Sequence, residues 1–179
     1  MVEHAEDPSR VLKHTRDGEH NPAVVVDFGY VVDSNYNLEG TGGYKGTLIL
    51  RPATLSEYVH RIDAQNEVFG DDLRIEGITV VNGRAGLAVS QRAIMGKEPL
   101  LSEIESWMRE RSFEKVSAAK IGNEDLIGKT WYDPNSRTLV ADVKPDNFKK
   151  DSTGRLIALD LIAHRLTEES DIHAILTGG

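Results

Sequence analysis

Two segments in the last third of the chain constrain the fold most. TWYDPNSRTLVAD starts at Thr130 and NFKKDSTGRLIALD starts at Asn147. In each, a cluster of Asp, Asn, Ser, Pro or Gly separates two runs of strand-forming residues. Those small polar residues favour turns because their side chains bond nearby backbone or tolerate unusual φ, and proline presets it. Each segment therefore predicts a β-hairpin, with turns at Asp133–Ser136 and Lys150–Gly154. Antiparallel hairpins need no crossover helix, which argues against a regular βαβ alternation.

The rest of the chain agrees. Val11–His14, Pro22–Asp33, Thr47–Leu50, Leu73–Val80 and Gly86–Arg92 are rich in strand formers, and NGR between the last two reads as a turn. Thr54 and Glu57 form a capping-box pattern ahead of Leu55, Tyr58, Val59 and Ile62 at helical spacing, and Gly70 predicts the stop. Ser102 and Glu105 suggest a second box, with Ile104, Trp107 and Met108 inside the helix. Short helices are expected around Leu161–Leu166 and Glu169–Leu176. The order predicts an α+β protein. The polar stretch IMGKEP, Ile94–Pro99, is the expected boundary between an N-terminal lobe, 1–96, and a C-terminal lobe, 97–179.

Composition excludes several classes. Without cysteine there is no disulfide framework and no thiolate zinc site. None of the six histidines pairs with another at i, i+4, so local spacing offers no histidine metal site. A net charge of −8 disfavours general nucleic-acid binding. The longest apolar stretch, AVVVDFGYVV, is interrupted by Asp27 and too short to span a bilayer. These features predict a soluble, cytoplasmic protein. The glycine-rich EGTGGYKGT fails the phosphate-loop order and reads as a surface loop.

The second hairpin carries the chemistry. Asn147 opens its first strand and Asp160 follows its second, so antiparallel pairing brings an amide oxygen and a carboxylate to one end. Hard cations such as Mg²⁺ accept oxygens of this kind and complete their shell with water and phosphate. Asp142 precedes Asn147 by five positions, with Lys144-Pro145 between them, and Asn147 precedes Asp160 by thirteen. A structural reading also stands: Asp142 and Asn147 can simply shape turns beside Pro145.

This spacing resembles the protein-kinase catalytic core, in particular the small kinase-like domains of polyvalent proteins of phages and mobile elements. The resemblance implies a small antiparallel sheet lobe and a reduced C-terminal lobe. It implies that Asp142 accepts the proton of an attacking hydroxyl and that Lys144 steadies the transferred group. Asn147 and Asp160 would hold Mg²⁺ beside ATP. Lys13, in RVLK, would anchor phosphate and pair with Glu67 on the first helix, or else with Glu57. GLAVSQRAI, Gly86–Ile94, would be the strand leading into the hinge. The implied partners are a nucleotide and a protein or small-molecule hydroxyl. Departures are visible too. Val140-Ala141 replaces His-Arg before the catalytic Asp, Asp160-Leu161-Ile162 lacks the D-F-G glycine, and no glycine-rich phosphate cover precedes Lys13. Asp27-Phe28-Gly29 spells D-F-G but lies ahead of the catalytic segment. These losses point to the alternative: a kinase-derived binding module without chemistry.

Overall fold

The computed structural model describes residues 2–3, 7–14, 24–31, 45–81 and 83–167. It is a mixed α+β protein of antiparallel sheets and two α-helices. A four-stranded sheet has the order β1 (Val2–Glu3), β2 (Arg10–His14), β6 (Arg84–Arg92), β5 (Arg74–Val81). β3 (Val24–Val31) and β4 (Lys45–Pro52) pair over eight residues each. Most of the glycine-rich loop before β4 lies outside the described residues.

Helix α1 (Leu55–Phe69) starts and stops where local chemistry dictates. The Glu57 N–H donates to Thr54 Oγ1, and the Thr54 N–H donates to Glu57 Oε2 at 2.7 Å. These bonds satisfy two of the donors that every helix start leaves open. Gly70 ends the helix in the left-handed region at φ 66°, which costs glycine nothing. Helix α2 (Leu101–Arg109) starts two residues earlier than the Ser102–Glu105 pattern predicts. Glu103, not Glu105, accepts the free N–H at the start, from Leu100 at 2.9 Å. Glu105 instead faces Arg109 and Lys115.

The second four-stranded sheet has the order β12 (Ile162–Arg165), β9 (Thr138–Ala141), β8 (Trp131–Asp133), β7 (Glu114–Lys115). Its two faces feed two apolar clusters. Tyr132, Leu139, Ala141 and Ile162 join Leu48, Ile121 and Leu126 on one side. Trp131, Val140 and Ala163 join Ile104, Met108, Phe148 and Leu161 on the other, with Ala64 of α1. Consecutive residues of a strand face opposite ways, so a sheet covered on both faces needs an unbroken apolar run. Ile162 and Ala163 are buried on opposite faces in this way, and Leu161–Leu166 is not the expected helix. Its Ile162–Arg165 portion pairs residue by residue with Ala141–Thr138. The other expected helix, Glu169–Leu176, lies outside the described residues.

Both predicted hairpins form. Asp133 holds the first turn by accepting from the Asn135 and Ser136 N–H groups at 2.9 and 3.2 Å. β10 (Phe148–Lys150) and β11 (Leu156–Ala158) form the second. Its Asp151 Oδ1 collects the N–H groups of Thr153 and Arg155. The connector between β6 and α2 is strapped to this hairpin. Lys97 and Lys150 exchange both backbone hydrogen bonds, at 3.1 and 2.8 Å. Among the described residues, no helix is long and apolar enough to cross a membrane.

Candidate functional site

Asp142 leaves β9 directly after buried Ala141 and takes φ 60°, a left-handed conformation that aspartate tolerates better than most residues. Val143 is buried and its N–H donates to Lys129 O at 3.0 Å, which fixes the exit of the strand. Pro145 then opens a single 3₁₀ turn, Pro145–Asn147, where its missing N–H is no loss. The turn brings Asn147 back onto Asp142. Asn147 Nδ2 donates to the Asp142 main-chain oxygen at 2.7 Å and to Oδ2 at 2.8 Å. Two acceptors on one nitrogen settle the orientation of the amide. No described residue donates to Asn147 Oδ1 or to Asp142 Oδ1.

Lys144 Nζ sits 3.2 Å from Asp142 Oδ2 and 3.6 Å from Asp146 Oδ2. Burial works against its charge, but the hydrogen bond and charge of Asp142 outweigh it, and the amine is held above its usual pKa. Asp142, Lys144 and Asn147 thus form one bonded unit.

Asp160 comes to the same region along the hairpin. The Leu159 N–H donates to Asn147 O at 2.9 Å, so Asn147 and Asp160 are one step apart at the open end. Two cations from other elements reach this carboxylate. Lys13 Nζ of β2 lies 3.5 Å from Oδ2, and Arg61 Nη2 of α1 lies 3.5 Å from Oδ1. Arg61 also grips the next carbonyl, Leu161 O, through Nε at 3.2 Å and Nη2 at 3.0 Å. Burial lowers the pKa of Arg61, while the charges of Asp160, Tyr58 and Asp142 pull it back up. Burial raises the nearby Tyr58 phenol.

Glu67 is not brought here. It faces Arg165 of β12 at 2.6 Å, and Glu57 is committed to Arg51 and the helix start. The side chain that α1 delivers is Arg61, opposite in sign to the expected carboxylate. Glu67 lies six residues further on, which at 100° per residue turns it to another face.

A second set of residues escaped the sequence reading. Gln65 Nε2 and Gln91 Nε2 both donate to Leu159 O, at 3.0 and 2.8 Å, and both donate to Asp71 Oδ2 at 2.7 Å. Burial raises the pKa of Asp71 against these bonds. The network clamps α1 and β6 onto the residue just before Asp160. The only trace in the sequence is Arg61 and Gln65 at i, i+4, two polar side chains sharing a helix face with buried Ile62 and Ala64.

A groove of about 570 Å³ opens between α2 and the hairpin turn, lined by Trp107, Arg111 and Lys150 among others, and shares no residue with this cluster. Among the described residues, no three His, Cys, Asp or Glu side chains converge into a metal cage. No protein-family model, curated protein or solved structure matches the chain.

Proposed function

We propose that the cluster is a kinase-like nucleotide site that transfers the γ-phosphoryl group of ATP to the hydroxyl of a protein or small molecule. The observation that carries this reading is the meeting of Lys13 and Asp160 at 3.5 Å, beside the bonded Asp142–Lys144–Asn147 unit. Lys13 stands on the strand next to β6, opposite Val89, and β6 runs into the connector, as the resemblance implies.

The donor set suits Mg²⁺. Asn147 Oδ1 and the half-exposed Asp160 carboxylate are hard oxygens, and two such ligands are the usual protein share when phosphate and water supply the rest. Bound there, the ion would neutralise charge on the transferred group. The protein's own part is positioning and proton transfer. Asp142 Oδ2 is held by Asn147 and Lys144, which leaves Oδ1 to accept the hydroxyl proton. Lys144 offers positive charge beside it, and Lys13 offers charge to phosphate oxygens. A cytoplasmic setting goes with this reading.

One observation favours a second reading, nucleotide binding without transfer. No α1 carboxylate holds Lys13, since Glu67 pairs with Arg165. Calorimetry of ATP with and without Mg²⁺, on wild type and Asp160→Ala, tests for the site, and a phosphoryl-transfer assay separates the two readings. Mg²⁺ is expected to tighten ATP binding, and Asp160→Ala to lose that tightening. Absence of ATP binding by folded wild-type protein would sink both.

A further inference from the structure

Among the described residues two arginines are buried, and they differ in how well they are matched. Arg10, 5 % exposed, is fully engaged: Nε donates to Ser90 Oγ at 2.8 Å, Nη1 to Asp72 Oδ2 at 2.5 Å, and Nη2 to Asp72 O at 2.7 Å. Arg61, 8 % exposed, is not. Its Nε and Nη2 crowd onto one carbonyl, and the one close carboxylate among the described residues, that of Asp160, is at 3.5 Å, is 58 % exposed and is shared with Lys13. Nη1 has no acceptor among the described residues. A buried cation normally demands a close counter-charge and full hydrogen bonding. Beyond a ring contact with Tyr58 at 6.0 Å, Arg61 keeps hydrogen-bonding capacity that an anion would use.

The local balance points the same way. Lys13 and Arg61 bring two positive charges to the single carboxylate of Asp160. A guanidinium presents a planar fork of donors that matches phosphate oxygens. We propose that Arg61 and Lys13 bind the polyphosphate of the nucleotide directly, the two cations standing where the family has a lysine–glutamate pair. Binding of the phosphate chain then does not require a divalent ion. This rests on the nucleotide reading above and names the groups that hold the phosphates.

The probe is inorganic tripolyphosphate, titrated calorimetrically in EDTA. Wild type is expected to bind, and Arg61→Met and Lys13→Met to weaken binding tenfold or more each. Asp160→Asn, which removes the competing negative charge, is expected to bind as well as wild type or better. Arg61→Met within twofold of wild type overturns the proposal. Because Arg61 also holds Leu161 O, that variant could unfold. The Arg61 Nε–H resonance of the wild-type protein decides independently: it shifts on titration if the proposal holds, and a static resonance overturns it. The two readings fail separately. Mg²⁺-dependent ATP binding that is lost in Asp160→Ala but kept in Arg61→Met leaves the nucleotide site and removes this role. Tripolyphosphate bound at Arg61 without any Mg²⁺-dependent ATP binding does the reverse. Failure of wild type to bind either ligand overturns both.

Discussion

Asn147 gives its side-chain amide to Asp142 twice, to the main-chain oxygen at 2.7 Å and to the carboxylate at 2.8 Å. The pair closes the loop between β9 and the second hairpin around a residue at φ 60°. Asp142→Asn keeps an acceptor for Asn147 and tolerates the left-handed conformation. It should therefore stay within about 1 kcal/mol of wild-type stability. Phosphoryl transfer should fall about a hundredfold or more, because the proton acceptor is gone. Urea melts and a transfer assay check the two halves, and wild-type transfer by Asp142→Asn would remove Asp142 from its role.

Lys13 and Asp160 meet at 3.5 Å, with side chains 25 % and 58 % exposed. A pair so open to water should couple weakly, by about 1 kcal/mol or less in a double-mutant cycle. The coupling should shrink further with added salt. A coupling above about 2 kcal/mol would mean that the pair serves to hold the sheet to the hairpin rather than to bind a ligand.

Glu57 makes part of the stability pH-dependent. The hydrogen bond from Arg51, and then that from the Thr54 N–H, lower its pKa from 4.5 to about 2. A depressed acid contributes fully above its unfolded pKa and loses that contribution as pH falls through its folded value. Stability should therefore decline between pH 4.5 and about 2. After screening at this surface position the loss should be about 1 kcal/mol. Glu57→Gln should be less stable at neutral pH and flatter across that window. An unchanged slope in denaturant melts would show that Glu57 is not responsible.

Gly96 is the tightest point of the strap between β6 and α2. A Cβ there would meet the Lys150 carbonyl oxygen at 2.5 Å, a backbone atom that also accepts from Lys97. Gly96→Ala should cost about 1–3 kcal/mol by forcing the strap off the hairpin. Glu67→Ala, which breaks an exposed pair with Arg165, should cost less than about 1 kcal/mol. Chemical denaturation of both variants makes the comparison, and a harmless Gly96→Ala would mean the connector moves freely.

What could be read in advance follows the range of the forces involved. The two hairpins and the cap and stop of α1 were legible because each is decided within a few residues, by Asp133, Asp151, Thr54, Glu57 and Gly70. The start of α2 was missed by two residues because Glu103 and Glu105 are both spaced to cap something, and only packing chooses. Ile162–Arg165 was misread because two buried apolar residues followed by His164 and Arg165 show no strand alternation and look like a short helix.

The sequence by itself determined which residues stand at the open end of the second hairpin, because register follows from the turn: Asn147 and Asp160 had to be neighbours there. Only the tertiary structure decided what faces them. Helical periodicity leaves the rotation of α1 free within the width of its apolar stripe. The burial of Ile62 and Ala64 sets that rotation, aiming Arg61 and Gln65 at the hairpin and sending Glu67 to Arg165. The sign of the charge beside Asp160 thus follows from how a helix packs.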